Sequence, residues 1–144
     1  MTATLMSQRG PGRRRPRQSG SAIVEGALVF LVFMVIVFGL MEFGRMVWSY
    51  TQIANGAREA TRYAIVHGSA SGSTASVSQI QGIVTSHSPG LNTSNITTNV
   101  TFTPDQSPGS TVKVAVTYKF YPLTPFIPVG PIQLASTSQM VIYQ

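Results

Sequence analysis

Glu25 is the residue whose type and position most clearly require a chemical explanation. It is the only charged residue between Ala22 and Met41, it follows Gly20 by five positions, and the stretch from Ala27 to Met41 carries no polar side chain. A charged side chain near the middle of a membrane helix costs roughly 2.5–3.5 kcal/mol on insertion scales, and such groups usually pair with another group. Glu25 therefore predicts a contact with an opposite charge. The simpler alternative is an acid that lies at the level of the lipid headgroups.

The remaining inventory gives little support to catalysis. The chain has no cysteine, its imidazoles are those of His67 and His87, and its other acids are Glu42, Glu59 and Asp105. Neither a disulfide scaffold nor a thiolate metal site is possible, and no nucleotide-binding, metalloprotease or hydrolase motif occurs. Both histidines stand beside serine or glycine in loop-like sequence, where we expect them to be solvated. We therefore expect no enzyme, no catalytic residues, no metal site and no cofactor.

The positive charge of the chain is concentrated at its N-terminus. The formal net charge is +6, yet the residues after the first twenty contain five basic and four acidic side chains. A basic cluster can bind nucleic acid or anionic lipid. Before an apolar helix, its simpler role is to hold the N-terminus in the cytoplasm. We interpret Arg13, Arg14, Arg15 and Arg17 as topology determinants of a leader, and we expect no nucleic acid as a partner.

The apolar stretch predicts a membrane helix that is retained in the protein. About twenty apolar residues are needed to cross a hydrocarbon core of about 30 Å, and residues 22–41 supply them. A cleaved secretory signal is the alternative, but its apolar region is usually about 7–15 residues long and ends in a small-residue cut site. No such site follows Met41. We therefore place the lipid bilayer among the partners.

The helical pattern continues beyond the predicted span. No proline occurs between Met41 and Val66, and an apolar stripe recurs at three- and four-residue steps. Its members are Phe43, Met46, Val47, Tyr50, Ile53, Ala54, Ala57, Ala60, Thr61 and Ala64. The small side chains at its end would let another element approach closely. Glu42 and Arg45 are expected to be an attractive surface pair, and Trp48 and Tyr50 to lie in an interfacial aromatic belt.

The second half of the sequence predicts a small head. Residues 76–86 form a short amphipathic pattern that Ser76 could cap, and residues 96–103, 111–121 and 132–143 alternate as strands do. Residues 104–109 would form a hairpin loop, and the proline-rich residues 122–131 would connect the last two strands. In the second strand, Val112, Val114, Val116 and Phe120 should face the core, while Lys113 and Lys119 should face solvent.

The predicted fold class is therefore α+β. A long N-terminal helix, transmembrane in its first half and extracytoplasmic in its second, should pack on a small antiparallel three-stranded sheet with one short helix. The predicted organisation is a basic leader at 1–20, the long helix at 21–67 with its transmembrane part at about 22–41, and an extracytoplasmic head at 68–144.

The leader and helix together resemble a known family. A basic leader that ends in Gly20, a cut before Ser21 and an acid at Glu25 resemble the processing signature of type IV pilins. Residues 20–68 are similar to the TadE-like family, which comprises minor pilin-like proteins (pseudopilins) of the tight-adherence, Flp-type pilus machinery. The similarity is carried by "VEGALV" (24–29), "EFGR" (42–45) and "NGAREATRYA" (55–64). Within the last two motifs the residues taken as family positions are Glu42, Phe43, Gly44, Arg45, Asn55, Ala57, Arg58, Ala60, Arg62 and Tyr63. Gly26 departs from the pilin pattern, in which an aromatic residue usually follows the glutamate.

The resemblance implies how the protein is made and what it does. A prepilin peptidase would cut after Gly20, and the new α-amine of Ser21 would lie one helical turn from Glu25, where it could pair with that acid in its own chain or in a neighbour. The implied protein is a single-pass component of the bacterial inner membrane, with other pilin-like subunits and assembly platform proteins as partners. It would stay at the pilus base or enter the filament. The alternative function is an unprocessed, membrane-anchored module that binds a partner in an envelope secretion complex.

Overall fold

The structure is a computed structural model that describes residues 19–123 and 130–143. Its elements are helix α1 (Ser19–Val66), helix α2 (Val77–Ser86), a 3-10 turn (Thr93–Asn95), and strands β1 (Ile96–Thr103), β2 (Thr111–Phe120) and β3 (Ile132–Val141). The predicted α+β class, with one long helix, one short helix and three strands, is confirmed. The leader arginines and the middle of the proline-rich connection lie outside the described residues.

The chain divides into two compact units within the residues of α1. One unit ends at Val37, and the other begins at Phe38 and contains the sheet and α2. Part of the long helix thus belongs to the same unit as the strands, which we call the head unit (residues 38–143). The residues of α1 before Phe38 are described by themselves.

The three strands form an antiparallel sheet in the order β1-β2-β3. Val114 in the central strand pairs with Val100 of β1 and with Ser138 of β3. Along β2, the side chains of Val112, Val114, Val116 and Phe120 are buried, while those of Lys113 and Lys119 are exposed. The predicted register of this strand is confirmed. β2 and β3 end at Phe120 and Val141, slightly earlier than the pattern predicted.

One face of the sheet is covered by the later part of α1 and by α2. Ile53, Ala57, Ala60 and Ala64 of α1 form a single core cluster with the inward side chains of β2 and with Ile80 and Val84 of α2. The small-residue part of the predicted stripe is therefore the part that is buried, because small side chains let the helix approach the sheet closely. At the start of the stripe, Phe43, Val47 and Tyr50 are exposed, so the packing against the sheet does not extend to them.

Helix α2 begins with a reciprocal cap. The Ser76 hydroxyl accepts a hydrogen bond from the Gln79 backbone N–H at 3.2 Å, and the Gln79 side-chain oxygen accepts one from the Ser76 backbone N–H at 2.9 Å. This capping box satisfies two backbone donors that the first turn of the helix leaves free. The predicted helix and its Ser76 cap are confirmed; Ile80 and Val84 are buried, and Val77 is exposed.

The loop between β1 and β2 is organised by Asp105. Its Oδ1 accepts hydrogen bonds from the Ser107 backbone N–H at 2.8 Å and from the Ser110 hydroxyl at 2.7 Å. Both hydrogen bonds favour the ionised carboxylate, and that from Ser110 has the larger effect. They therefore lower the pKa of Asp105 below its ordinary value of 3.8. Gly109, at φ +87°, completes the turn in a backbone conformation that residues other than glycine rarely adopt.

Candidate functional site

The predicted processing and assembly residues all lie near the start of α1. The helix begins at Ser19, and Gly20, Ser21 and Glu25 are exposed on it. Ser21 and Glu25 are four residues apart, so they lie on the same side of the helix one turn from each other. Arg13, Arg14, Arg15 and Arg17 lie outside the described residues. The roles of all seven residues remain predictions.

The residues that follow Glu25 leave their apolar side chains exposed. Ile23, Leu28, Phe30 and Val35 are among the large apolar residues more than half accessible on this part of α1. Within the described residues, this helix is the one long and apolar enough to cross a membrane. It therefore fits a single-pass membrane anchor.

Glu42, at the start of the EFGR motif, is the centre of a buried polar cluster in the head unit. Only 8% of this residue is exposed. Nη1 of Arg45 lies 2.9 Å from Oε1 and 2.8 Å from Oε2 of Glu42, while the backbone N–H of Leu123 donates to Oε1 at 2.6 Å. The Arg45 guanidinium also lies 5.0 Å from the centre of the Phe120 ring, within the range of a cation–π contact.

This cluster corrects the prediction of a simple surface pair. The i,i+3 spacing predicted the ion pair with Arg45, but it could not predict the backbone donor of Leu123, which is 81 residues away. The other two residues of the motif, Phe43 and Gly44, are exposed. A Cβ added at Gly44 would meet nothing within 4 Å, so packing within the described chain does not require glycine there.

The NGAREATRYA motif divides into a buried side and an exposed side. Ala57 and Ala60 are fully buried in the core. On the opposite side, Asn55, Arg58 and Arg62 are exposed, with Arg58 3.4 Å from the Asn55 side-chain oxygen and Arg62 3.4 Å from Glu59. An exposed ion pair such as that between Arg62 and Glu59 contributes about 0–1 kcal/mol to stability. These polar side chains are therefore free to contact other molecules at little cost to the fold.

Residues 20–62 match the family model described as TadE-like protein. The resemblance predicted from the sequence is therefore confirmed over these residues, which we call the TadE-like segment. This match supports the interpretation of the protein as a component associated with Tad pili. No curated protein and no solved structure matches the chain.

The TadE-like segment contains both the membrane-compatible stretch and the helix that covers the sheet. It begins at Gly20 and ends at Arg62, so it includes Glu25, the EFGR motif and most of the NGAREATRYA motif. Tyr63 and the three strands lie beyond it. The similarity thus concerns the helix, whereas Leu123, which donates to Glu42, and Phe120, which lies beneath Arg45, come from outside the matched residues.

Two close approaches within the head unit depend on glycines that sequence reasoning did not assign. A Cβ at Gly56 would lie 2.9 Å from the Ser88 hydroxyl oxygen and 3.0 Å from the Val84 carbonyl oxygen, so this glycine lets α1 approach the end of α2. A Cβ at Gly90, which has φ +77°, would lie 2.6 Å from Cη2 of Trp48. The Trp48 ring, predicted to be part of an interfacial belt, therefore packs against the chain that follows α2.

The two histidines lie near an open groove at the end of α1. The His67 ring stacks on Tyr63 with centroids 3.9 Å apart, and His87 lines the groove of about 560 Å³ together with Arg62, Tyr63 and Tyr143. His67 is half-buried rather than solvated, whereas His87 is exposed as expected. Within residues 19–123 and 130–143, no three His, Cys, Asp or Glu side chains are grouped so that they could hold a metal ion.

Proposed function

We propose that this protein is a pilin-like (pseudopilin) component of a Tad/Flp-type pilus machinery that a prepilin peptidase cuts between Gly20 and Ser21. One observation carries the proposal. The TadE-like match begins at Gly20, and the apolar helix that could cross a membrane begins at Ser19. A cut after Gly20 would thus release a mature chain that starts at the first turn of this helix.

The position of the cut within α1 is compatible with proteolysis. A peptidase binds its substrate in an extended conformation, so the start of the helix must unwind. The first four N–H groups of a helix have no intrahelical partner, and helix ends fray. Gly20 lowers the cost further, because glycine adopts non-helical conformations readily. The basic residues before it would remain in the cytoplasm and be removed with the leader.

The protein would act by association rather than by catalysis. After the cut, the α-amine of Ser21 would offer a positive charge one turn from Glu25, on a helix whose apolar side chains are exposed. We propose that Glu25 pairs with this amine, in its own chain or in a neighbouring pilin-like subunit, during assembly in the inner membrane. The part of the head unit that follows the predicted membrane span would lie outside the cytoplasm and contact other subunits and the assembly platform.

A second candidate function is an unprocessed, membrane-anchored module that binds a partner within an envelope secretion complex. The same apolar helix supports it, since anchoring alone does not require a cut. Its exposed arginines, Arg58 and Arg62, would be available for the partner. The two candidates differ in the N-terminus of the mature protein and in the effect of Gly20.

Replacing Gly20 tests the proposal in a bacterial host that expresses a prepilin peptidase. Gly20→Leu should block the cut and leave in the membrane a precursor heavier by the mass of residues 1–20, because the helix still anchors the chain. Gly26→Leu is the matched control, since a Cβ meets nothing within 4 Å at either glycine. Only the control should mature normally. Normal maturation of Gly20→Leu would show that the proposed cut site is wrong.

A further inference from the structure

The segment that follows β2 is attached to α1 by the Glu42 cluster. The backbone N–H of Leu123 donates to Glu42 Oε1 at 2.6 Å, and Arg45, which pairs with the same carboxylate, lies over Phe120 at the end of β2. Hydrogen bonds to a charged group are stronger than those between neutral groups. Residues 121–123 are therefore held beside residues 42–45 of the helix.

Residues 42–45 directly follow the predicted membrane-spanning stretch. Residues 22–41 supply the roughly twenty residues that a hydrocarbon core of about 30 Å requires. Glu42 is the first charged residue after Glu25. Its pairing with Arg45 and with a backbone donor is what a carboxylate needs close to lipid, where an unpaired charge is costly. With the predicted span at residues 22–41, the cluster would mark the level at which α1 leaves the hydrocarbon core, and the backbone of Leu123 would lie at that level.

The side chains of this segment are apolar and exposed. Leu123 is 73% exposed and Tyr121 is 51% exposed, although the backbone N–H of Leu123 is bonded to Glu42. A single exposed leucine on a soluble surface needs no explanation. Here, however, Leu40, Met41 and Phe43 are also exposed on α1 at the same level. Tyrosine is enriched where membranes meet water, because its ring is apolar and its hydroxyl is polar.

We propose that Tyr121 and Leu123 form a second membrane contact, in which the segment that follows β2 inserts into the interface of the bilayer that α1 crosses. The occupant is the boundary between phospholipid headgroups and acyl chains. No charged residue occurs among residues 120–123, so apolar burial rather than attraction to anionic lipid drives the contact. The sheet is thereby held to the membrane surface at the Glu42 cluster. This inference rests on anchoring by α1 and is independent of processing or pilus assembly.

Site-directed spin labelling of the full-length protein tests the contact. The chain contains no cysteine, so Leu123→Cys and Tyr121→Cys each place one nitroxide without a background label. The protein is reconstituted in zwitterionic phosphatidylcholine vesicles, and collision with lipid-soluble oxygen is compared with collision with a water-soluble nickel chelate. Leu40→Cys is the membrane reference and Tyr143→Cys, on a highly exposed residue of the head unit, is the aqueous reference. Unchanged Trp48 emission shows that each labelled protein is folded.

The expected result is higher oxygen accessibility and lower nickel accessibility at positions 121 and 123 than at position 143, shifted toward the values at position 40. Both values should be independent of the protein-to-lipid ratio and of salt. Accessibility at both positions equal to that of position 143 would overturn the inference. Protection that disappears when the protein is diluted in lipid would also overturn it, since a second copy of the chain would then be the occupant.

Discussion

The carboxylate of Glu42 accepts a hydrogen bond from the backbone N–H of Leu123 at 2.6 Å, across 81 positions of sequence. Oε1 of Glu42 thus joins α1 to the segment that follows the central strand, while the ion pair with Arg45 holds the carboxylate in place. A residue of the EFGR motif therefore fixes the position of a segment that lies outside the TadE-like match. Its energetic contribution can be measured against a second ion pair of the same spacing on the same helix.

Removal of the Glu42 side chain should destabilise the head unit. Glu42→Ala leaves the Leu123 N–H and Arg45 without their acceptor, and we expect a loss of about 1–3 kcal/mol. Glu42→Gln keeps an oxygen that can accept from Leu123 and should lose less. The measurement is thermal unfolding of the full-length protein in detergent micelles, followed by the emission of Trp48, the single tryptophan.

Glu59→Ala is the matched control for this experiment. Glu59 also pairs with an arginine three residues later, at 3.4 Å, but both side chains are substantially exposed. Its loss should change stability by at most about 1 kcal/mol. Equal effects of Glu42→Ala and Glu59→Ala would show that burial and the contact with Leu123 add nothing to the ion pair.

Alanine substitutions at two glycines of α1 should have opposite effects on the stability of the protein. Gly44→Ala places a methyl group in open space and should stabilise the helix by up to ~1 kcal/mol. Gly56→Ala gains the same propensity, but its Cβ would lie 2.9 Å from Ser88 Oγ and 3.0 Å from Val84 O. Because overpacking typically costs about 1–3 kcal/mol, we expect a net loss. The same unfolding measurement compares the two variants.

The steric origin of that loss can be tested at Ser88. This serine is 2% exposed, and its hydroxyl has no hydrogen-bond partner within the described residues. Ser88→Ala removes the nearer of the two atoms that a methyl group at position 56 would meet, so it should restore part of the stability lost in Gly56→Ala. A Gly56→Ala variant as stable as Gly44→Ala would instead mean that the two helices can separate without cost.

Asp105 should contribute stability that depends on pH. Because its pKa is lowered on folding, its contribution is complete above the ordinary value of 3.8 and is lost as the pH falls through the pKa of the folded state. Asp105→Asn keeps an acceptor for Ser107 and Ser110 but does not titrate. The difference in melting temperature between the wild type and this variant should therefore shrink from neutral pH to below 3.8. A constant difference over that range would exclude the carboxylate charge as its cause.

Local patterns predicted the elements of this fold better than the contacts between them. The alternation around Val114 defined the buried face of β2, and Ser76 with Gln79 marked the start of α2, because each signal is contained in a few adjacent residues. The hydrogen bond between Glu42 and Leu123 joins residues that no local pattern connects. The approach of Gly56 to Ser88 likewise depends on how two helices pack.

The limits of the predicted stripe have the same origin. Phe43, Val47 and Tyr50 continue the helical spacing of Ile53 and Ala57, yet only the later residues lie under the sheet. Periodicity identifies one side of a helix, but it does not reveal where along the helix a partner begins. For the candidate site, the sequence identified Gly20, Ser21 and Glu25 by type and spacing, and their roles remain to be tested in the membrane.

Neutralising Glu25 should weaken assembly without affecting processing or insertion. Glu25→Gln keeps the size and hydrogen-bonding capacity of the side chain while removing its charge. Loss of one member of a buried ion pair typically costs about 3–5 kcal/mol, because the other charge is left unpaired. This corresponds to roughly two to four decades of association constant. The measurement is co-purification with pilin-like partners from membranes, together with piliation.

Glu59→Gln is the control for that experiment, since it neutralises an exposed acid on the head-unit part of the same helix. It should leave co-purification unchanged. If Glu25→Gln also co-purifies and supports piliation normally, the assembly contact is wrong and Glu25 is an acid at the headgroup level.

The mass and sequence of the mature N-terminus test the central claim most directly. The protein should be purified from the membranes of its native bacterium and analysed by intact mass spectrometry, with sequencing of the N-terminal peptide. A pilin-like component cut after Gly20 should begin at Ser21 and lack the leader arginines, which are Arg9, Arg13, Arg14, Arg15 and Arg17. A mature chain that begins at Met1 or Thr2 would contradict processing and favour the unprocessed, membrane-anchored module.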